Sequence, residues 1–118
     1  YVFMGKVKHL TPWGSWQVLA EGGGYKVKRI EVKPGHRFSL QAHNRREEHW
    51  VVVSGQARID LGEETIRARP GQYVMIPRKR EHRLYNPGKG VVVVIEVQRG
   101  NYLKEDDIVR LEDDYGRL

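Results

Sequence analysis

The stretch GHRFSLQAHNRREEHWVVVSG, residues 35–55, decides the fold and carries most of the side chains with metal-binding chemistry. Gln41 and His43 lie two residues apart in a predicted strand, so their side chains share a face. Glu48 begins the next predicted strand, and His82 lies in a later one. If the strands converge, these residues form one polar cluster.

Glycine and proline interrupt the chain every 8 to 15 residues, with short β-branched runs between them, and helical periodicity is absent before the last part of the chain. This pattern is typical of an all-β sandwich or barrel. We therefore expect a single jelly-roll domain over residues 1–118, with its core barrel at about 16–99. Residues 100–118 are acidic and predict a short C-terminal tail, irregular or briefly helical, across the barrel.

Some individual elements can also be predicted. Residues 1–8 are compatible with a short first strand, and residues 9–15, HLTPWGS, predict a turn. Residues 21–24 contain three consecutive glycines and predict a loop. Residues 91–98 are apolar on both faces, which predicts a central strand.

The composition excludes several classes of protein. The chain has no cysteine, which rules out disulfides and thiolate sites and favours a cytoplasmic location. No apolar run approaches the roughly 18 residues that span a membrane, and no signal peptide is recognised, so we expect no membrane partner. The net charge is +6, but only residues 78–80, RKR, are densely basic. Without a zinc finger or basic helix, this charge favours a small phosphorylated ligand over nucleic acid.

The polar cluster has the chemistry of a metal site. In a chain without cysteine, a metal must be held by imidazole, carboxylate or amide oxygen. Gln41, His43, Glu48 and His82 are therefore predicted to bind a divalent ion: zinc, manganese, cobalt, nickel or iron. The alternative is that these side chains are polar barrel residues that hydrogen-bond to each other.

A lysine is predicted to point into the barrel. Residues 25–32, YKVKRIEV, alternate cleanly, so Lys28 faces the core if Ile30 and Val32 do. A buried lysine needs a partner or a ligand. The alternative is that its long side chain extends to the rim and keeps the ammonium in water.

The spacing of these residues resembles the first motif of the cupin superfamily. That motif is a glycine, five residues, a His-x-His pair, three or four residues, a glutamate, six residues and a glycine. The chain repeats it from Gly35 to Gly55, with Gln41 where the family usually has its first histidine. The resemblance implies a double-stranded β-helix, or jelly-roll barrel.

A second cupin motif follows at the family's usual interval. It begins at Gly71 and continues through Pro77 and His82 to Asn86 at the family's spacing. Lys79 stands where the family has a glycine after the proline.

Longer matches are similar to the C-terminal cupin domain of type II mannose-6-phosphate isomerases, which is fused to a guanylyltransferase in bifunctional enzymes. The matching segments are PWGSW at 12–16, GYKVKRIEVKPG at 24–35, EHWVVVSG at 48–55, EDDIVR at 105–110 and DYGR at 114–117. Thr11 stands where the family usually has an arginine, and Asn44 and Arg45 stand where it usually has histidines. We expect the domain to stand alone here, without a guanylyltransferase part.

The resemblance implies a metal-dependent isomerase that interconverts mannose 6-phosphate and fructose 6-phosphate through an enediol(ate). For that reaction, Lys28, Arg46 and Arg110 are the predicted substrate-binding residues, and Lys28, Arg46 and Glu96 are the predicted catalytic residues. Glu96 is the candidate base because it lies in an otherwise apolar strand, where burial raises the pKa of a carboxyl group. The alternatives are surface ion pairs for the arginines and a salt bridge to a barrel lysine for Glu96.

Two other classes of function remain open. One is a non-catalytic cupin that binds a metal or a sugar, and the other is a different cupin enzyme. The expected partners are a small phosphorylated sugar and a second copy of the chain, paired through an edge strand. His49 is predicted to face away from Glu48, and His9 and His36 to lie at the surface.

Overall fold

The computed structural model describes residues 7–118, which form eleven strands in two antiparallel sheets. No helix occurs within residues 7–118, and so none that could cross a membrane; the all-β prediction is confirmed. The predicted first strand, residues 1–8, lies mostly outside the described part, and Val7 and Lys8 belong to no strand.

The strands are β1 (His9–Thr11), β2 (Gly14–Gly22), β3 (Tyr25–Val32), β4 (Leu40–Ala42), β5 (Arg46–Ser54), β6 (Ala57–Leu61), β7 (Glu64–Ala68), β8 (Tyr73–Ile76), β9 (His82–Tyr85), β10 (Val92–Gly100) and β11 (Val109–Glu112). The larger sheet has the order β1-β2-β3-β10-β5-β8, and the smaller one β11-β4-β9-β6-β7. Strand β10 lies between β3 and β5, so the predicted central strand is confirmed. Buried apolar side chains from both sheets form one core.

Strand β5 shows how alternation divides the barrel interior into an apolar end and a polar end. Its inward side chains are Trp50 and Val52 towards one end, and Arg46 and Glu48 towards the other, all of them buried. Successive inward positions lie about 7 Å apart along a strand. Glu48, the nearer residue of the polar pair, is therefore about 7 Å along the strand from Trp50 of the apolar core.

The neighbouring strands repeat this division. Glu96 of β10 pairs in register with Trp50 on one side and with Lys28 of β3 on the other. Gln98, the next inward residue of β10, pairs with Glu48. The larger sheet therefore lines the polar end of the barrel with ionisable side chains.

Three elements differ from the sequence-based expectations. Strand β2 continues to Gly22, inside the predicted loop, because its last residues still pair with β3. Strand β1 falls within the predicted turn. Strand β11 replaces the irregular or helical segment expected after Gly100, because Val109–Glu112 pairs with β4 at an edge of the smaller sheet.

Candidate metal and anion site

The polar end of the barrel encloses a cavity of about 200 Å³. Its wall comes from both sheets and from the segment that follows β10. The predicted site residues in that wall are Lys28, Gln41, His43, Arg46, Glu48, Glu96 and Arg110. His82 lies behind this wall, fully buried and in contact with Glu48.

His43, Glu48 and His82 converge on one point. One potential ligand atom from each lies within 4.8 Å of the others. His43 Nε2 is 3.2 Å from Glu48 Oε2, and His82 Nε2 is 3.4 Å from Glu48 Oε1. Ligand atoms bound at about 2.1 Å in a tetrahedral site are about 3.4 Å apart, so these separations suit a metal ion.

Backbone carbonyl groups orient both imidazoles. The Nδ1 atom of His43 is 2.6 Å from the carbonyl oxygen of Asp107, and the Nδ1 atom of His82 is 2.9 Å from that of Arg80. A carbonyl oxygen only accepts hydrogen bonds, so each Nδ1 must carry the proton. In a neutral imidazole the lone pair then lies on Nε2, the atom that faces Glu48, and a hydrogen bond of this kind commonly fixes the ring of a metal-bound histidine.

Two buried atoms of the cluster lack a hydrogen-bond partner. They are Glu48 Oε1 and His82 Nε2, whose 3.4 Å contact does not make a hydrogen bond. A buried unpaired polar atom costs about 1–3 kcal/mol. A divalent ion between them would remove that cost, so the residues fit a metal.

Burial and the neighbouring charges act in opposite directions on the pKa values of Glu48 and His82. Burial acts to raise the pKa of Glu48, but His82, His43 and Arg46 outweigh it and hold that pKa well below its usual range. Burial lowers the pKa of His43, which favours the neutral imidazole. Burial also acts to lower the pKa of His82, but Glu48 outweighs it and the pKa is raised. A metal bound at His82 would replace this proton.

Gln41 lies beside the cluster but is already hydrogen-bonded. It pairs in register with His82 across β4 and β9 and lines the cavity. Its side-chain oxygen accepts a hydrogen bond of 2.9 Å from the hydroxyl of Ser39. The predicted fourth ligand therefore has a competing partner, which Glu48 Oε1 lacks.

Arg46, which the sequence analysis assigned to substrate binding and catalysis, contacts two of the predicted metal ligands. Its Nε donates to Glu48 Oε2 at 2.9 Å, and its Nη2 lies 3.3 Å from His43 Nε2. Only Nη1 is buried without a partner. Arg45, by contrast, is exposed and lies over the ring of Tyr102.

Glu96 is buried at the cavity wall, as predicted. It accepts hydrogen bonds from Trp50 Nε1 at 2.9 Å and from Gln98 Nε2 at 2.7 Å. Burial and the neighbouring charge of Glu48 raise the pKa of Glu96 to about 7. The alternative of a salt bridge to a barrel lysine is not found, because Lys28 pairs with another carboxylate.

Lys28 points inward, as the alternation of β3 predicts, and is 5% exposed. Its ammonium lies 2.7 Å from both carboxylate oxygens of Glu105 and 4.0 Å from the centre of the Trp16 ring. The sequence reading missed Glu105. The available signal was the acidic segment after Gly100, which complements the lysines of β3 in charge.

Asp107 is a second residue that the sequence reading missed. Its carboxylate accepts hydrogen bonds of 3.0 Å from the backbone N–H groups of Asn44 and Arg45, and its carbonyl oxygen contacts His43. It therefore fixes the loop between β4 and β5. No sequence pattern near Asp107 indicated this contact, which spans more than sixty residues.

Two arginines of the C-terminal segment line the cavity. Arg110 is half-buried, and its Nε has no hydrogen-bond partner. Arg117 donates to the carboxylate of Asp113. Thr11, where the family usually has arginine, also lines the cavity and accepts a hydrogen bond from Gly14 N–H.

The remaining histidines lie away from the cluster. His49 faces the outside of the larger sheet, next to Glu47 and Tyr73, as its position in the strand predicts. His9 is exposed and stacks on Trp16, and His36 is half-buried beside Tyr115.

The family model described as "Mannose-6-phosphate isomerase C-terminal" matches residues 4–113. The chain belongs to this family. It is 53% identical over 110 residues to the xanthan biosynthesis protein XanB of Xanthomonas campestris, which covers 93% of this chain and 24% of XanB. It is 53% identical over 106 residues to the alginate biosynthesis protein AlgA of Pseudomonas aeruginosa, which covers 90% of this chain and 22% of AlgA.

A third relative carries the name of an enzyme. The mannose-1-phosphate guanylyltransferase ManC of Salmonella typhimurium is 48% identical over 107 residues, covering 91% of this chain and 22% of ManC. The chain thus spans about a quarter of the length of these relatives.

Solved structures agree on the fold. The capsular polysaccharide assembling protein CapF of Staphylococcus aureus has a TM-score of 0.79 at 22% identity, over 92% of this chain and 34% of CapF. A protein from Klebsiella pneumoniae with a double-stranded β-helix domain has a TM-score of 0.71 at 18% identity, over 81% of this chain and 77% of that one. The cupin fold predicted from the two motifs is confirmed.

The comparisons correct the predicted function. The sequence had suggested an isomerase of mannose 6-phosphate and fructose 6-phosphate. The relatives are about four times longer, and their names describe polysaccharide biosynthesis and guanylyl transfer. These matches do not show that the part of the relatives that aligns with this chain is an isomerase. We therefore withdraw the predicted activity.

Proposed function

We propose that this domain binds one divalent metal ion through His43, Glu48 and His82 and holds a phosphorylated sugar in the cavity beside it. The observation that carries the proposal is the convergence of two oriented Nε2 atoms on a buried carboxylate, with His82 Nε2 and Glu48 Oε1 unpaired. Gln41 is then a neighbour of the ion and, at most, a weak fourth ligand.

The charges around the cavity support an anionic ligand. Lys28, Arg46 and Arg110 line the same cavity, and Arg46 Nη1 and Arg110 Nε have no partner. Guanidinium groups bind phosphate oxygens in pairs, and an ammonium group binds them as a point charge. The net charge of +6 would also attract an anion.

Mannose phosphate is the sugar that the comparisons favour. The matching family is described by mannose 6-phosphate, and one relative is named for mannose 1-phosphate. Other relatives are named for the synthesis of xanthan and alginate. We therefore place the domain in a protein that supplies activated mannose for polysaccharide synthesis.

The residues of the cavity have distinct roles in this proposal. Lys28 and Arg110 bind the phosphate, and Arg46 orients Glu48 and places positive charge beside the bound sugar phosphate. Glu96 lines the same cavity and holds a hydroxyl group of the sugar by a hydrogen bond. A bound metal would polarise an oxygen atom of the sugar.

Calorimetric titration of the purified domain with mannose 1-phosphate tests the proposal. We expect binding by the protein loaded with zinc or manganese, and weaker binding after treatment with a chelator. Lys28→Met should weaken binding about tenfold, because a charged hydrogen bond to phosphate is lost. Lys33→Met, which removes an exposed lysine just beyond β3, should leave binding unchanged.

Mannose and mannose 6-phosphate complete this experiment. Neutral mannose should bind more weakly than either phosphate ester, because it cannot use the cations of the cavity. Equal affinity for the neutral and phosphorylated sugars would contradict the anion site. Equal affinity before and after chelation would show that the metal takes no part in holding the ligand.

A further inference from the structure

Lys28 and Glu105 form an ion pair whose two partners differ in exposure. The side chain of Lys28 is 6% exposed, whereas that of Glu105 is 48% exposed. The ammonium lies at the cavity wall, and the carboxylate reaches it from the segment after β10. A buried ammonium is costly without a counter-ion, but a half-exposed carboxylate regains water when it moves away.

Both oxygen atoms of Glu105 lie 2.7 Å from the ammonium of Lys28. Lys26 is 3.7 Å from the same carboxylate and also donates to the carbonyl oxygen of Leu103. Glu105 thus occupies the position in which Lys28 would receive the oxygen atoms of an external anion.

The backbone next to Glu105 is fixed independently of this ion pair. Asp107, two residues further on, is buried and hydrogen-bonded to the loop between β4 and β5. Leu103 is held through the contact from Lys26. Because both neighbours are attached elsewhere, the Glu105 side chain can leave Lys28 without releasing the segment.

We propose that Glu105 is an internal competitor for the anion-binding position at Lys28, and that the phosphate of a ligand must displace it. The inference rests on the proposed function, which it refines. A phosphate at neutral pH carries more charge than one carboxylate and offers three acceptor oxygens. It can therefore replace Glu105 at Lys28 while it also contacts the arginines of the cavity. A neutral sugar gains nothing from this exchange. Glu105 therefore determines how much the charge of a ligand contributes to its affinity.

The Glu105→Gln variant tests this inference, because it keeps the size of the side chain and removes its charge. We expect inorganic phosphate and mannose 1-phosphate each to bind about fivefold more tightly. The reason is that the ligand no longer has to break a partly exposed ion pair, and about fivefold corresponds to the free energy of such a pair. The affinity for neutral mannose should not change. Asp106→Asn, one residue along on an exposed side chain, is the matched control and should bind phosphate as the unaltered protein does.

The outcomes separate this inference from the proposal on which it rests. If the unaltered protein binds phosphate and Glu105→Gln binds it equally or more weakly, the competitor role is overturned. Glu105 would then have only a structural role, as the partner of Lys28. Failure of both proteins to bind phosphate overturns the anion site itself, and the competitor role with it. Glu105→Asp, whose shorter side chain withdraws the carboxylate, serves as a second variant, and thermal unfolding verifies that each variant is folded.

Discussion

Lys79 shows at the scale of one residue how this chain departs from the cupin pattern without losing its geometry. It stands where the family has a glycine, and its φ of 67° lies in the left-handed region that glycine favours. Its N–H donates to the carbonyl oxygen of His43 at 2.6 Å. This hydrogen bond fixes the turn before β9 to a predicted metal ligand. Because Lys79 has a Cβ, its left-handed backbone conformation is strained.

Replacing Lys79 by glycine should therefore stabilise the fold. A left-handed conformation costs a residue with a Cβ about 1–2 kcal/mol, and glycine avoids this cost. Glycine also increases the entropy of the unfolded chain, which offsets up to about 1 kcal/mol of that gain. We expect Lys79→Gly to raise the free energy of unfolding by about 0.5 kcal/mol in a denaturant titration. Arg78→Gly, at the preceding exposed position without a positive φ, should lower it. A destabilised Lys79→Gly would contradict the strain.

Asp113 and Arg117 predict a pH dependence of stability. Hydrogen bonds from Arg117 lower the pKa of Asp113 to about 2, from a usual value of 3.8. Because the pKa is lower in the folded state, the stabilisation is fully present above pH 4 and is lost as the pH falls towards 2.

The Asp113→Asn variant measures this contribution. At pH 7 it should be less stable than the unaltered protein by about 1 kcal/mol, and the difference should shrink as the pH falls from 4 to 2. Thermal unfolding of both proteins across this range provides the comparison. A difference that stays constant with pH would show that the charge of Asp113 does not contribute.

At the scale of elements, the turn between β5 and β6 depends on a glycine. Gly55 has a φ of +83°, and a Cβ atom there would lie 2.7 Å from the carbonyl oxygen of Val91. Gly71, in the turn before β8, has a φ of +90° but no atom within 4 Å of that position. An alanine would therefore strain the backbone at both positions, but only at Gly55 would its Cβ also lack space.

Gly55→Ala should thus be clearly more destabilising than Gly71→Ala. We expect about 1 kcal/mol of strain in both variants, with a further 1–3 kcal/mol in Gly55→Ala, because β10 must move to admit the methyl group. Chemical denaturation of the two variants measures the difference. Equal losses would show that the contact with Val91 is unimportant.

The strands that carry the site could be predicted because they alternate. The period of two residues in β3 placed Lys28 inside the barrel, and the motif spacing brought His43, Glu48 and His82 together. The segment after Gly100 has no such period. The pairing of Glu105 with Lys28, 77 residues away, depends on tertiary structure that a local pattern does not contain.

At the scale of the whole molecule, the outer face of the larger sheet has its own apolar surface. Val51 and Val53 on β5, and Tyr73 and Met75 on the edge strand β8, are all exposed. Exposed apolar side chains that adjoin in this way are typical of a binding surface. This surface supports the prediction of a homodimer, which stays a prediction.

Sedimentation of the purified domain tests that prediction. We expect a dimer at micromolar concentration, and a monomer for Val51→Lys, which places a charge next to Tyr73 within this apolar surface. Gln56→Lys adds the same charge at an exposed position next to β6 and should remain dimeric. A monomer in the unaltered protein at tens of micromolar would contradict the prediction.

The packing of the strands around the cluster explains why the function could not be deduced from the motifs alone. The motifs locate ligand-type residues, but the contacts of Arg46 with Glu48 and His43 appear only when β4 and β5 are packed. These contacts link Glu48 and His43 through Arg46 by hydrogen bonds that need no ion. The chemistry of the site therefore depends on whether a metal binds.

Metal analysis of the purified protein tests this central claim most directly. After incubation with zinc or manganese and removal of the excess, we predict one ion per chain. In a separate measurement with free ion at 100 times its Kd, the unfolding temperature should rise, because binding to the folded protein then adds about 2.7 kcal/mol. His82→Asn and Glu48→Gln should lose the ion, and His49→Asn, on the outer face, should keep it. Protein that binds no divalent ion, or equal binding by His82→Asn, would contradict the account and leave a cluster held by Arg46.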